Sequence, residues 1–125
     1  MIVLGIDPGT ADTGYGVVQS SGPQLRALAC GVIQTRPGIP LERRLSEIHD
    51  RINELIRQHR PDAIAVEELY FGTNVRTAFA VGQARGVVML AAGQHQIPAQ
   101  SFTPQQVKSA VWTEWLTAAK LDLHG

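Results

Sequence analysis

Six residues, Pro8 to Thr13, separate a first strand ending on Asp7 from a second apolar run, and that distance decides their geometry. Ile2 to Ile6 is continuously apolar and leads into Asp7, and a second run begins at Gly14 (GYGVVQ). A parallel crossover needs about a dozen residues or more, so the two runs must pair as an antiparallel hairpin. With no polar face, the first run reads as a central strand. A third strand, Leu25 to Thr35, follows the turn Ser20-Ser21-Gly22-Pro23 and completes a three-stranded meander. The residue that does not fit is Asp7, a carboxylate at the end of a buried strand. Asp-Pro-Gly is ordinary turn chemistry, with Pro setting φ and Gly accepting φ > 0. The competing reading is that the strand delivers a carboxylate to the sheet rim to hold a metal.

After the breaker Pro37-Gly38-Ile39-Pro40 the period changes. Leu41, Leu45, Ile48, Ile52, Leu55 and Ile56 advance by three or four and give one face of a helix. Glu47 and Arg51 are expected to pair at i,i+4 on its outer side, and Pro61 ends it. Ala63 to Val66 forms a short buried strand running into Glu67-Glu68. Asn74 is a candidate cap for a second helix reaching about Gln94, with Ala78, Gly82 and Gly86 on one stripe that suggests close approach of another backbone. Ile97 to Phe102 is a last strand, and Thr103-Pro104 opens a further helix. The order predicts an α/β domain, a mixed five-stranded sheet flanked by helices.

Two buried strands therefore end on acids, Asp7 and Glu67. In open α/β sheets ligands bind beyond the carboxyl ends of the strands. Two carboxylates meeting there repel one another unless a cation neutralises them, and Mg²⁺ is the natural oxygen-seeking candidate. The bland alternative is that Glu67 and Glu68 begin a solvated loop. Tyr70 and Phe71 are placed to stack on bases or simply to pack the loop. Asn74, Arg76, Arg85 and Lys108 are candidate phosphate contacts, or solvated polar residues. Histidines 49, 59, 95 and 124 show no ligand spacing, and His49 and His59 read as surface residues. Neither a Walker A loop nor a nucleophile elbow is present.

Composition constrains the partners. Eleven basic residues balance eleven acidic ones in 125, which removes the strong basic bias usual in nucleic-acid binders and leaves only a local patch to do that task. Cys30 has no second cysteine to pair with inside the chain, and an intracellular setting is expected. No apolar run approaches the roughly 18 residues of a spanning helix, and MIVLGID lacks a basic signal region. One domain over residues 1–125 is expected.

GIDPGTADTGYGVV, AIAVEELYFGTN, AVGQARGVV and QQVKSAV together resemble the RuvC family of bacterial Holliday-junction resolvases, in register over residues 1–111. The resemblance implies an RNase H-like fold of the retroviral integrase superfamily. It implies a cytoplasmic bacterial homodimer, joined through the second helix, that nicks four-way junction DNA symmetrically alongside branch-migration helicase machinery. Mg²⁺, with Mn²⁺ able to substitute, is the implied cofactor. Asp7 and Glu67 match the family's first two catalytic and metal-binding carboxylates, Tyr70 a junction-contacting aromatic, and Lys108 a basic active-site residue. The implied chemistry is two-metal hydrolysis, one ion positioning the water and the other stabilising the leaving 3′ oxygen, with Asp7 bridging them and Glu67 holding one.

The tail WTEWLTAAKLDLHG departs from that pattern. It carries no D-x-x-D or D-x-x-H pair, and Glu114, Asp122 and His124 are not assigned as substitutes. The expectation is a fold with incomplete C-terminal helices that keeps its shape while cutting junctions poorly or not at all. Three other readings stay open. An actin-like ATPase would share the strand-Asp-x-Gly-Thr loop but needs a duplicated fold. A related resolvase of ribosomal-RNA processing shares only the opening motif. A non-catalytic junction-binding fragment would follow from missing acids.

Overall fold

The computed structural model describes residues 1–67 and 75–102. Strands β1 (Ile2–Asp7), β2 (Asp12–Ser21) and β3 (Gln24–Gln34) form the expected antiparallel meander. Helix α1 (Leu41–His59), strand β4 (Ala63–Glu67), helix α2 (Val75–Gln94) and strand β5 (Ala99–Phe102) follow. The sheet order is β3-β2-β1-β4-β5, with β4 parallel to both β1 and β5. β1 is thus central, as its unbroken apolar run requires.

Alternation along the strands separates two faces. Leu4, Ile6, Val17, Ile33, Ile64 and Val66 are buried against Ile48, Ile52, Leu55 and Ile56 of α1 and Ala84, Val88, Ala91 and Ala92 of α2. Successive strand residues point to opposite faces, so the side chains between them, including Asp7 and Glu67, lie on the face away from these helices. Alanines on α2 let that helix sit close to α1. Across this joint runs a chain of hydrogen bonds with one consistent direction. His95 Nε2–H donates to Asn53 Oδ1 (2.8 Å), Asn53 Nδ2 donates to His49 Nδ1 (3.2 Å), and His49 Nε2–H donates to Gln94 Oε1 (2.8 Å). The donor and acceptor assignment is the one in which each of these three bonds joins a donor to an acceptor. His49 is therefore a half-buried connector between the helices, not the free surface residue that the charged helix suggested. Asn53→Ala orphans one donor and one acceptor here, and is expected to cost about 1–3 kcal/mol in denaturant unfolding.

Other expectations are corrected by geometry. Glu47 does not pair with Arg51. It accepts two hydrogen bonds from Arg36 beyond β3 (3.0 and 2.7 Å), while Arg51 turns to Glu54 (3.3 Å). The Arg36 bonds hold the Glu47 carboxyl below its usual range. β5 starts two residues later than its apolar pattern, because Ile97 N–H is used to close α2 on Ala92 O (2.9 Å). Among the described residues the small-residue stripe of α2 meets no other backbone, and nothing lies within 4 Å of a Cβ built on Gly82 or Gly86. The same outward face carries Val75, Phe79 and Leu90, which are 77%, 69% and 55% exposed. A helix apolar on all sides calls for a second covering surface. Among the described residues no helix is long and apolar enough to cross a membrane.

Candidate active site

β1 and β4 run parallel in the register Val3↔Ala63 to Ile6↔Val66, and each strand ends one residue later, on Asp7 and on Glu67. The two acids are therefore adjacent at the carboxyl end of the sheet. On the other flank Asp7 faces Gly14 of β2, where a Cβ would sit 3.8 Å from the Asp7 Cβ, so glycine leaves that side of the carboxylate open. Burial pushes the Asp7 carboxyl above its ordinary value. Burial also raises Glu67, and the charge on Asp7 raises it further. Burial is thus the larger cause at both acids, and repulsion between like charges adds to it at Glu67.

The connection after Asp7 is rigid, and its rigidity comes from two threonines that the sequence pattern did not single out. Thr13, fully buried, accepts a hydrogen bond from Gly9 N–H (3.2 Å) and donates one to Gly9 O (2.6 Å). Thr35 Oγ1 donates to Thr10 O (2.7 Å), and its N–H donates to Ala11 O (3.1 Å). The loop is stitched to β2 on one side and β3 on the other. The four-residue spacing from Gly9 to Thr13 is the available signal, a hydroxyl returning to nearby backbone. A Cβ on Gly9 would collide with the carbonyl oxygen of Asp12, so this position is closed to any side chain.

Of the expected site residues, the structure brings Asp7 and Glu67 together. Arg76 is exposed on the first turn of α2. Arg85 is half-buried, and its guanidinium donates to Ser101 Oγ on β5. Glu68, Tyr70, Phe71, Asn74, Lys108, the helix expected from Thr103, and Glu114, Asp122 and His124 lie outside the described residues. Among the described residues no group of three or more His, Cys, Asp or Glu side chains comes together, so the donor set seen is the two carboxylates.

A central hairpin strand, a parallel neighbour reached through a helix, and one acid at the end of each define an RNase H-like nuclease domain. The family model of "Crossover junction endodeoxyribonuclease RuvC" matches residues 3–122. The chain belongs to this RuvC family. Crossover junction endodeoxyribonuclease RuvC of Pelotomaculum thermopropionicum is 50% identical over 111 residues, covering 89% of this chain and 68% of that one. The Thermomicrobium roseum protein of the same name is 53% identical over the same shares. Among solved structures, T. thermophilus RuvC in complex with Holliday junction substrate superposes with a TM-score of 0.82 at 40% identity, covering 88% of this chain and 67% of that one.

Proposed function

We propose that this chain resolves four-way DNA junctions by metal-dependent hydrolysis of a phosphodiester, with Asp7 and Glu67 as the catalytic carboxylates. The observation that carries the reading is the adjacency of these acids on β1 and β4, with the charge of one raising the carboxyl of the other. Oxygen-only donors that repel each other fit a hard divalent cation, and Mg²⁺, replaceable by Mn²⁺, is the ion proposed. Bound there, divalent ions supply Lewis-acid stabilisation of phosphate charge and a more acidic water.

The protein's own contribution is placement. Asp7 is fixed between the β1 ladder and a loop clamped by Thr13 and Thr35, so its carboxylate needs little reorganisation when a cation arrives. β4 is held by β1 on one side and β5 on the other, and Glu67 itself pairs with Phe102 of β5. Arg76, beside the loop that leaves β4, is proposed to hold substrate phosphate, with Tyr70, Asn74 and Lys108 in the DNA-contacting roles that the family pattern implies. The proposed domain is residues 1–125, acting in the bacterial cytoplasm with branch-migration helicase machinery. The test is cleavage of a labelled four-way junction in Mg²⁺. Paired symmetric nicks, absent with EDTA and absent on linear duplex, are expected, and cleavage indifferent to EDTA would refute the reading.

The exposed apolar face of α2 supports a homodimer. Val75, Phe79 and Leu90 flank the open Gly82 and Gly86, so a second α2 can approach closely. Phe79→Asp places a charge in the centre of that face. Sedimentation is expected to show a dimer for the unaltered chain and a monomer for this variant, with far-UV circular dichroism unchanged.

A further inference from the structure

At the end of the sheet opposite to Asp7 and Glu67, where the chain enters β4 and β5, lies a cavity of about 370 Å³. Ile56, Pro61 and Ile97 give it apolar walls, Arg57 and Arg60 give it cationic donor groups, and His95 completes its lining. Neither arginine has an acidic partner among the described residues. The nearest acids in sequence are committed elsewhere, Glu54 to Arg51 (3.3 Å) and Asp62 Oδ2 to the N–H of Ile2 (2.8 Å). His95 is held in place through its Nε2–H, which donates to Asn53 Oδ1 (2.8 Å).

A second observation is independent of charge. Arg60 closes α1 in the left-handed conformation, at φ 47, where glycine is the favoured residue. A residue with a Cβ adopts this conformation at a cost in energy, so the Arg60 side chain sits where helix closure alone would select its absence. Arg57 on the last turn of α1 complements the helix dipole, which gives it a structural reason to be there. Arg60 has no such reason, since its own backbone is strained by the arrangement.

We propose that this cavity docks an acidic peptide segment of a partner protein, carboxylates on Arg57 and Arg60 and an apolar side chain on Ile56, Pro61 and Ile97. Apolar walls beside paired guanidinium groups match alternating acidic and aliphatic side chains, whereas a DNA backbone offers charge with nothing to fill the apolar part. The site is remote from the carboxylates, so a partner held here leaves the junction-facing rim free.

The test uses a fluorescein-labelled peptide of alternating Asp and Leu, with an alternating Lys-Leu peptide as control, by anisotropy on the whole chain. Saturable binding of the acidic peptide alone is expected. In the double variant R57E/R60E it should fall at least about tenfold, the factor that one charge-assisted contact is worth. Arg60→Gly separates the proposal from a structural role, because it removes the charge and relieves the left-handed strain together. It should weaken the peptide while raising the melting temperature. Equal binding of both peptides, or unchanged binding in R57E/R60E, would overturn the proposal. So would an Arg60→Gly variant that melts lower than the parent. A loss of junction binding in R57E/R60E as large as the loss of peptide binding would assign the cavity to DNA and overturn it as well.

Discussion

Asp7→Asn is expected to lower Mg²⁺-dependent junction cleavage by a factor on the order of 10³ or more, and to raise the melting temperature of the metal-free protein. The two effects have one origin. A metal-holding carboxylate stabilises several kcal/mol of transition-state charge through its ion, and Asn removes that charge. In the absence of the ion the same carboxylate is a burden, because burial raises Asp7 and the charge of Asp7 raises Glu67. A carboxyl raised in the folded state binds protons more readily there than in the unfolded chain. The metal-free fold therefore gains stability as pH falls through the raised carboxylate range, and loses it as pH rises above that range. Activity runs the other way, since the ionised pair is the form that holds a cation. Mg²⁺ should accordingly raise the melting temperature of the unaltered protein and leave the Asn variant unmoved. A variant that melts lower without metal, or still responds to Mg²⁺, would remove Asp7 from the site.

Gly9→Ala is expected to reduce cleavage about 10²-fold, the effect of misplacing a reacting group by about an ångström. The added Cβ meets a backbone oxygen, that of Asp12, which has no flexible end to turn away. The Asp7 loop has to shift as a unit, because Thr13 and Thr35 hold its other atoms. Overpacking of this kind costs about 1–3 kcal/mol, so a lower denaturation midpoint should accompany the lost activity. Thr13→Val is the informative comparison. It keeps the shape of a buried side chain and deletes both hydrogen bonds to Gly9. It should reproduce the loss of activity with the loop free to move instead of forced. Full activity in both variants would show that the loop does not position Asp7.

The parts of this molecule that were legible in its sequence are those governed by local spacing. The six residues between Asp7 and the second apolar run dictated a hairpin, and the hairpin formed. Acids at the ends of two buried runs pointed to one rim, and the parallel register made Asp7 and Glu67 neighbours. The less legible features depend on what packs against what. β2 begins two residues before its apolar run, at Asp12, because a polar residue, Thr13, is buried there by its hydrogen bonds to Gly9. The Glu47–Arg51 pairing was a rule about one helix surface, and it lost to an arginine arriving from another element. Arg85 resembles any basic residue of a nucleic-acid protein until Ser101 on β5 comes within its reach. Periodicity marked the outward face of α2 as suited to a close neighbour without saying whether that neighbour lay in the same chain.

The joint between β1 and β4 also sets when the two carboxylates meet. The meander of β1, β2 and β3 closes through short turns and can form early, as the chain leaves the ribosome. Its Asp7 then waits alone. Glu67 arrives only when α1 and β4 have been made and β4 has docked beside β1, a closure that also brings Asp62 Oδ2 onto the Ile2 N–H across a separation of 60 residues. A nascent chain halted anywhere before β4 carries half of the carboxylate pair and cannot assemble the proposed cation site, since the pair forms only after this long-range closure.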